Sequence, residues 1–399
     1  LKREAVAVAT RLASTYPDDA LTSALLGSAY YNTGQSVEAM QHLRRCIALS
    51  PGQGGAYETL ARIAYEKGEP EEAARLAQEA LKHGPPNPDV LNQLGRALLD
   101  QGKAEEAIRS LQQATSLPQS TSESHYLLGQ AHLQSGDPAQ AKASFLKAIT
   151  LLPDHTQAAF GLMTACQRLG QTEKAARYRE QFQKLEALDR RALSDRSAQE
   201  DTLTGLPLVR KTVARTLFGA AQIHRAHQQP ENAAELFFRA ASLDPDQPTY
   251  RAALESYYVQ RKTLADGVRA FEKLAAGQPG NHLNFLFLGR LHGRLQQFDD
   301  AAESYRKVQE LAPAWPEGYR AQAELYLRAA RMLPEAVTLA RKAVELAPTA
   351  PHFHLLAAVC AENNDRASAV NAMKRAVTLE PDRALYREFL LKLQEAPSP

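Results

Sequence analysis

The sequence predicts an all-α solenoid, a row of antiparallel helical hairpins stacked one on the next in two arrays. Three observations carry this prediction. Gly34, Gly68, Gly102, Gly136 and Gly170 recur at a constant step of 34 residues. Ala39, Ala73, Ala107, Ala141 and Ala175 recur on the same step. The composition favours helix, rich in Ala, Leu, Glu, Arg and Gln and sparse in Val and Ile, which leaves little material for a sheet.

Each row has a mechanical reason. One unit is two antiparallel helices, A and B. Small residues at the eighth position (Gly27, Ala61, Gly95, Gly129) and at the twentieth (the alanine row) let the two helices approach closely. Glycine at the fifteenth position supplies the positive φ that ends helix A and turns the chain. Pro17, Pro51, Pro85 and Pro153 close units, with Pro118 one residue out of register, because proline has no N–H to continue helix B.

This pattern resembles the tetratricopeptide-repeat (TPR) family, whose signature is W-x2-L-G-x2-Y…A-x3-F…P. Residues 24–30 read Ala-Leu-Leu-Gly-Ser-Ala-Tyr, followed by Ala39, Leu43 and Pro51. Residues 126–132 read Tyr-Leu-Leu-Gly-Gln-Ala-His, followed by Ala141, Phe145, Ala148 and Pro153. The register breaks after Phe182 and restarts at Ala233, Phe237, Ala240 and Pro245. Pro279, Pro313, Pro348 and Pro381 follow, with one extra residue near Arg331–Pro334. The family's tryptophan slot holds other residues throughout, among them His125, Arg251 and His354.

The chain therefore divides into an N-terminal array at 1–189 (a half unit and five repeats), a helix extension and loop at 190–213, and a C-terminal array at 214–399 (five repeats and a closing helix). In the second array Gln228, Lys262, Gln296 and Ala330 replace the turn glycine, so the two arrays are expected to differ in turn chemistry. Residues 173–200 lack Gly and Pro and carry apolar residues at helical spacing, predicting one overlong helix. Two readings stand for it: an elbow or dimerisation strut through which a second copy binds, or an extended helix packed across its neighbours.

The net charge of +2 and the lack of like-charge runs argue against nucleic acid or an anionic membrane as partner. No apolar run reaches the roughly 18 residues a membrane helix needs. Cys46, Cys166 and Cys360 are far apart and without C-x-x-C spacing, which argues against a disulfide framework or zinc site. The repeat register places His125 and His354 in the tryptophan slot and His132, His224 and His292 in the tyrosine slot, as packing residues. The pairs His224/His227 and His352/His354 lack partner ligands at suitable spacing. No nucleophile–base set, P-loop or metalloprotease motif is present. No catalysis, cofactor or metal is expected. The chain opens inside a helix at Leu1, which reads as a truncated start and leaves the compartment open.

The resemblance implies a right-handed superhelix whose A helices line an inner face that binds extended peptides or partner helices. Inner-face positions are Arg62, Asn92, Arg96, Tyr126 and Gln130 in the first array, and Arg290, Arg294, Arg320 and Arg328 in the second. Arginine is the residue type that captures carboxylates in a bidentate way, which points to an acidic peptide or a C-terminus. Against this stands a groove whose charges are paired internally by Glu58, Glu66 and Glu324. The expected function is a non-catalytic protein–protein interaction scaffold. The alternative is a targeting or regulatory module of a larger enzyme or membrane-anchored protein.

Overall fold

Every stretch between turn residues forms one helix. The computed structural model describes residues 1–199 and 206–395, and these form 22 α-helices with no strand among them. The chain separates into two units, Leu1–His227 and Gln228–Pro399. The first unit holds α1 (Lys2–Thr15), α2 (Ala20–Asn32), α3 (Ser36–Leu49), α4 (Gly54–Glu66), α5 (Pro70–His83), α6 (Pro88–Asp100), α7 (Ala104–Ser116), α8 (Ser122–Gln134), α9 (Pro138–Leu151), α10 (Thr156–Arg168), α11 (Thr172–Gln199) and α12 (Leu206–Ala226). The second holds α13 (Pro230–Leu243), α14 (Pro248–Gln260), α15 (Leu264–Gly277), α16 (His282–Arg294), α17 (Phe298–Leu311), α18 (Pro316–Ala329), α19 (Leu333–Leu346), α20 (Ala350–Glu362), α21 (Arg366–Leu379) and α22 (Ala384–Glu395).

From α1 to α11 and from α13 to α22, successive helices pack as neighbours and successive A helices also touch, so the hairpins stack in chain order. The hairpin cores explain the small-residue rows. A Cβ added at Gly27 would lie 2.7 Å from Leu43, one at Gly95 2.6 Å from Leu111, and one at Gly289 2.6 Å from Tyr305. Helix A meets helix B at glycine because the partner side chain already occupies that space. The alanine row is buried beside it, with Ala39, Ala107 and Ala141 fully enclosed. Side-chain caps start several A helices: Asp19 accepts from the Thr22 N–H at 2.8 Å and Asn87 from the Val90 N–H at 2.9 Å.

The expected difference in turn chemistry is not a difference in turn geometry. Gly68 sits at φ 76° and its hairpin closes with Gly68 N–H donating to the Tyr65 carbonyl and Glu69 N–H to the Ala64 carbonyl. Lys262 stands at φ 59° with the same two bonds, to Val259 and from Thr263 to Tyr258. Gln296 repeats them at φ 61°. The bonding pattern and the packed hairpin hold the left-handed conformation whether or not glycine is there. For a side chain this conformation is strained, by about 1 kcal/mol. Lys262→Gly is therefore expected to raise the stability of the second unit by about 0.5–1 kcal/mol, net of the added freedom of the unfolded chain, in urea unfolding. The one-residue insertion appears as two left-handed residues, Ala330 and Met332, between α18 and α19.

The overlong helix is present as α11, 28 residues from Thr172 to Gln199. Phe182 packs on Phe160 of α10 with ring centroids 5.3 Å apart, and Asp189 accepts from the Thr156 hydroxyl at 2.7 Å. Up to Asp189 it thus lies along its hairpin partner. The loop expected next falls mainly on 200–205, outside the described residues.

Helix α12, which the sequence places at the head of the second array, packs against α1 and α2. A Cβ at Gly219 would lie 2.8 Å from Leu25, so the approach is close. The contact carries a polar latch. The His227 ring stacks on Tyr16 at 4.0 Å and its Nε2 lies 2.7 Å from Asp19 Oδ2, while the Tyr16 hydroxyl lies 3.3 Å from His224 Nδ1. The histidine pair does have a carboxylate partner, but one 208 residues away in sequence, beyond the reach of local spacing. The Asp19 carboxyl is held below its ordinary value: burial raises it, and the hydrogen bonds from His227 and Thr22 with the His227 charge outweigh that. A depressed carboxyl stabilises the fold above its unfolded value of about 3.9, and that contribution is lost as pH falls through the folded value. Asp19→Asn keeps the cap oxygen and removes the charge. Its Tm deficit relative to the wild type should be present at pH about 5 and vanish as pH falls through the folded value of the carboxyl.

Candidate functional site

The groove residues expected in the first unit come together on the A helices. Arg62 lies on α4, Asn92 and Arg96 on α6, Tyr126 and Gln130 on α8. One cavity of about 390 Å3 is lined by Arg62, Tyr65, Glu66, Asp89, Asn92, Gln93, Arg96 and Glu123. A second, of about 420 Å3, shares Arg96 and Glu123 and extends to Asp100, Tyr126, Gln130 and Gln157. The helical register causes this: positions nine of successive A helices face the same way, one repeat apart.

The arginines are engaged. Arg62 donates to Glu58 at 3.1 Å and lies 5.9 Å from the Tyr31 ring centroid. Arg96 donates to Glu123. The Glu123 carboxyl is held below its ordinary value, first by a hydrogen bond with His155 and then by Arg96. His155 is itself the cap of α10, its Nδ1 accepting from the Ala158 N–H at 3.3 Å, with Nε2 3.6 Å from Glu123. Gln130 donates to the Tyr126 hydroxyl at 2.7 Å. Asn92 is buried, and its Oδ1, closed off from solvent, has no hydrogen-bond partner among the described residues.

In the second unit the expected arginines form a ladder with glutamates across α14, α16 and α18. Arg290 bridges Glu255 at 3.7 Å and Glu317 at 3.2 Å, and Arg294 reaches Glu255 at 3.8 Å. Arg320 is clasped between Glu317 and Glu324, which pushes its pKa up. Glu255 is buried, and burial raises its carboxyl despite Arg290 and Arg294. Arg328 is exposed and donates only to the Glu324 carbonyl, at 3.3 Å. It has no carboxylate within ion-pair distance among the described residues.

Sequence reasoning named the cations and missed most of their partners. The signal was a spacing. Arg96 and Glu123 are 27 residues apart, as are Arg290 and Glu317, because position nine of one A helix faces position two of the next. Arg62 and Asp89 share that spacing and line one cavity without pairing. The histidines lie as packing or capping residues, and among the described residues no group of three His, Cys, Asp or Glu is arranged to hold a metal ion. All three cysteines are buried and free. No described helix is long and apolar enough to cross a membrane.

Four family models described as tetratricopeptide repeat match the chain, at residues 22–53, 64–131, 122–155 and 286–351. No curated protein matches the sequence. Among solved structures, YrrB, described as a TPR protein with an unusual peptide-binding site, is 19% identical, with 47% of this chain and 97% of that one covered and a TM-score of 0.42. Yeast Tom70 is 15% identical over 96% of this chain and 95% of its own, with a TM-score of 0.39. PilF of Pseudomonas aeruginosa is 24% identical over 58% of this chain and 96% of its own, with a TM-score of 0.37. With the repeat models falling in both units, on the hairpins whose glycine–leucine and glycine–tyrosine contacts define the fold, the chain belongs to the tetratricopeptide-repeat family.

Proposed function

We propose that the chain is a protein-interaction scaffold, and that the groove over α4, α6 and α8 binds an extended segment of a partner protein. The observation that carries this is the pair of adjoining cavities over the A helices, which share Tyr65, Arg96 and Glu123. The ladder of Arg290, Arg294 and Arg320 is a candidate surface of the second unit.

A random dodecapeptide library displayed on phage and selected on the immobilised full chain tests the reading. Peptides should be enriched on the wild type. Gln93→Trp/Gln130→Trp, which fills both cavities from half-buried positions, should abolish their binding while leaving the far-UV melt intact. Equal enrichment on the filled variant would place binding elsewhere.

A further inference from the structure

The two arginines that suggest an acidic ligand are held by the chain's own carboxylates, Arg62 by Glu58 and Arg96 by Glu123. The lining of the two cavities carries these two cations against four acids, Glu66, Asp89, Asp100 and Glu123. Glu66, Asp89 and Asp100 take part in no ion pair among the described residues, and Glu66 and Asp100 are exposed. Two further cations lie beyond the lining: Arg215 of α12, whose charge acts on Glu58, and Arg168, which lines a third cavity with Asp100 and Gln130 and donates to the Leu133 carbonyl.

Glu66 and Asp100 are equivalent residues, the last of α4 and the last of α6. Each acts on the tyrosine one repeat back: Tyr31 donates to Glu66, and burial first and then these carboxylates push the Tyr31 and Tyr65 phenols up. Neighbouring packed helices stand about 8–10 Å apart, the rise of about three residues of extended chain.

Resting on the groove reading above, we infer that this groove takes an extended peptide with two basic side chains three residues apart, one at Glu66 and one at Asp100. The ligand is therefore cationic, opposite in sign to the one that the inner arginines imply when their partners are ignored. A hydrogen bond to a charged group is strong enough that each lost contact weakens binding about tenfold or more.

The test is the charge pattern of dodecapeptides selected on the full chain, compared with those selected on Glu66→Gln/Asp100→Asn. Both substitutions are at exposed positions, and equal melting temperatures would show that the fold is kept. The expected result is enrichment of Lys or Arg at i and i+3 with depletion of Asp and Glu. The best synthetic peptide should lose about a hundredfold in Kd on the double variant and should weaken with salt. Acidic or charge-neutral winners, or a Kd unchanged on the double variant, would overturn the inference while leaving the groove reading intact. Winners that bind the cavity-filled variant equally well would overturn both.

Discussion

Arg251→Leu should destabilise the second unit by about 3–5 kcal/mol. Arg251 stands in the tryptophan slot of its repeat and is fully buried on α14. Its Nε donates to Asn284 at 2.7 Å, one terminal nitrogen to Gln278 at 2.9 Å and the other to the Pro245 carbonyl at 3.0 Å. Asn284, also fully buried, passes bonds on to the Leu274 and Gln278 carbonyls, and Gln278 donates to Ser242. One guanidinium thus organises the ends of α13 and α15, where helix dipoles favour a cation. Burial draws its pKa down to about 10, with Asp244 and Asp246 opposing, so it remains charged at neutral pH. Leucine replaces the volume and leaves the buried Asn284 oxygen and the half-buried Gln278 oxygen without the guanidinium donor. Trp315, the only tryptophan, lines the cavity that Gln278 and Asn281 share, so its fluorescence reports the loss in urea. Arg251→Leu/Asn284→Leu should recover part of it, because the stranded Asn284 oxygen goes too. A single variant within about 0.5 kcal/mol of the wild type would contradict the account of this network.

The second large effect is expected at Phe145. Its ring is fully buried between two glycines, one on α8 and one on α10. A Cβ at Gly129 or at Gly161 would lie 2.5 Å from the ring in either case. The ring has no room to move from one without striking the other. Phe145→Ala should cost about 3–5 kcal/mol through the void it leaves. Gly129→Ala alone should cost about 1–3 kcal/mol, even though alanine is the better helix former by about 1 kcal/mol. In Phe145→Ala/Gly129→Ala/Gly161→Ala the two methyl groups enter the void. The triple variant should be less destabilised than the sum of its parts, a coupling that urea unfolding would resolve. Additive losses would mean that the three residues do not share one packed site. In a stacked array the loss falls first on the hairpins around α8 to α10, so hydrogen exchange should quicken there before elsewhere.

How much of this was legible in the sequence follows from what each contact depends on. The hairpins were legible because their constraints are local and repeat: the glycine facing Leu43 or Leu111, the buried alanine row, and the proline that ends helix B. The identity of the turn residue was misleading. Lys262 and Gln296 adopt the conformation that Gly68 adopts, because the hairpin around them enforces it at a small cost. Of the site, the inner-face cations were legible from register, and so were two of their partners within one helix, Glu58 and Glu324; the partners on the next repeat were not. Arg96 meets Glu123 through the stacking of two repeats, a relation visible only once the 27-residue offset between facing positions is known. The Tyr16–His227–Asp19 latch was beyond any periodic argument, since α12 packs against α1 and α2, about 200 residues back in the chain, and not by a step of the repeat. Arg251 was visible as a departure from the family pattern, but its meaning lay in the amides and carbonyls of the flanking helices.

The central claim is that the A-helix face of the first unit holds a peptide. Hydrogen exchange of the full chain, with and without a saturating selected dodecapeptide, tests it most directly. The account predicts slowed exchange in α4, α6 and α8, centred on 62–66, 89–100 and 123–130, with the outer helices α5, α7 and α9 unchanged. Slowing confined to those outer helices, or to the second unit, would contradict it.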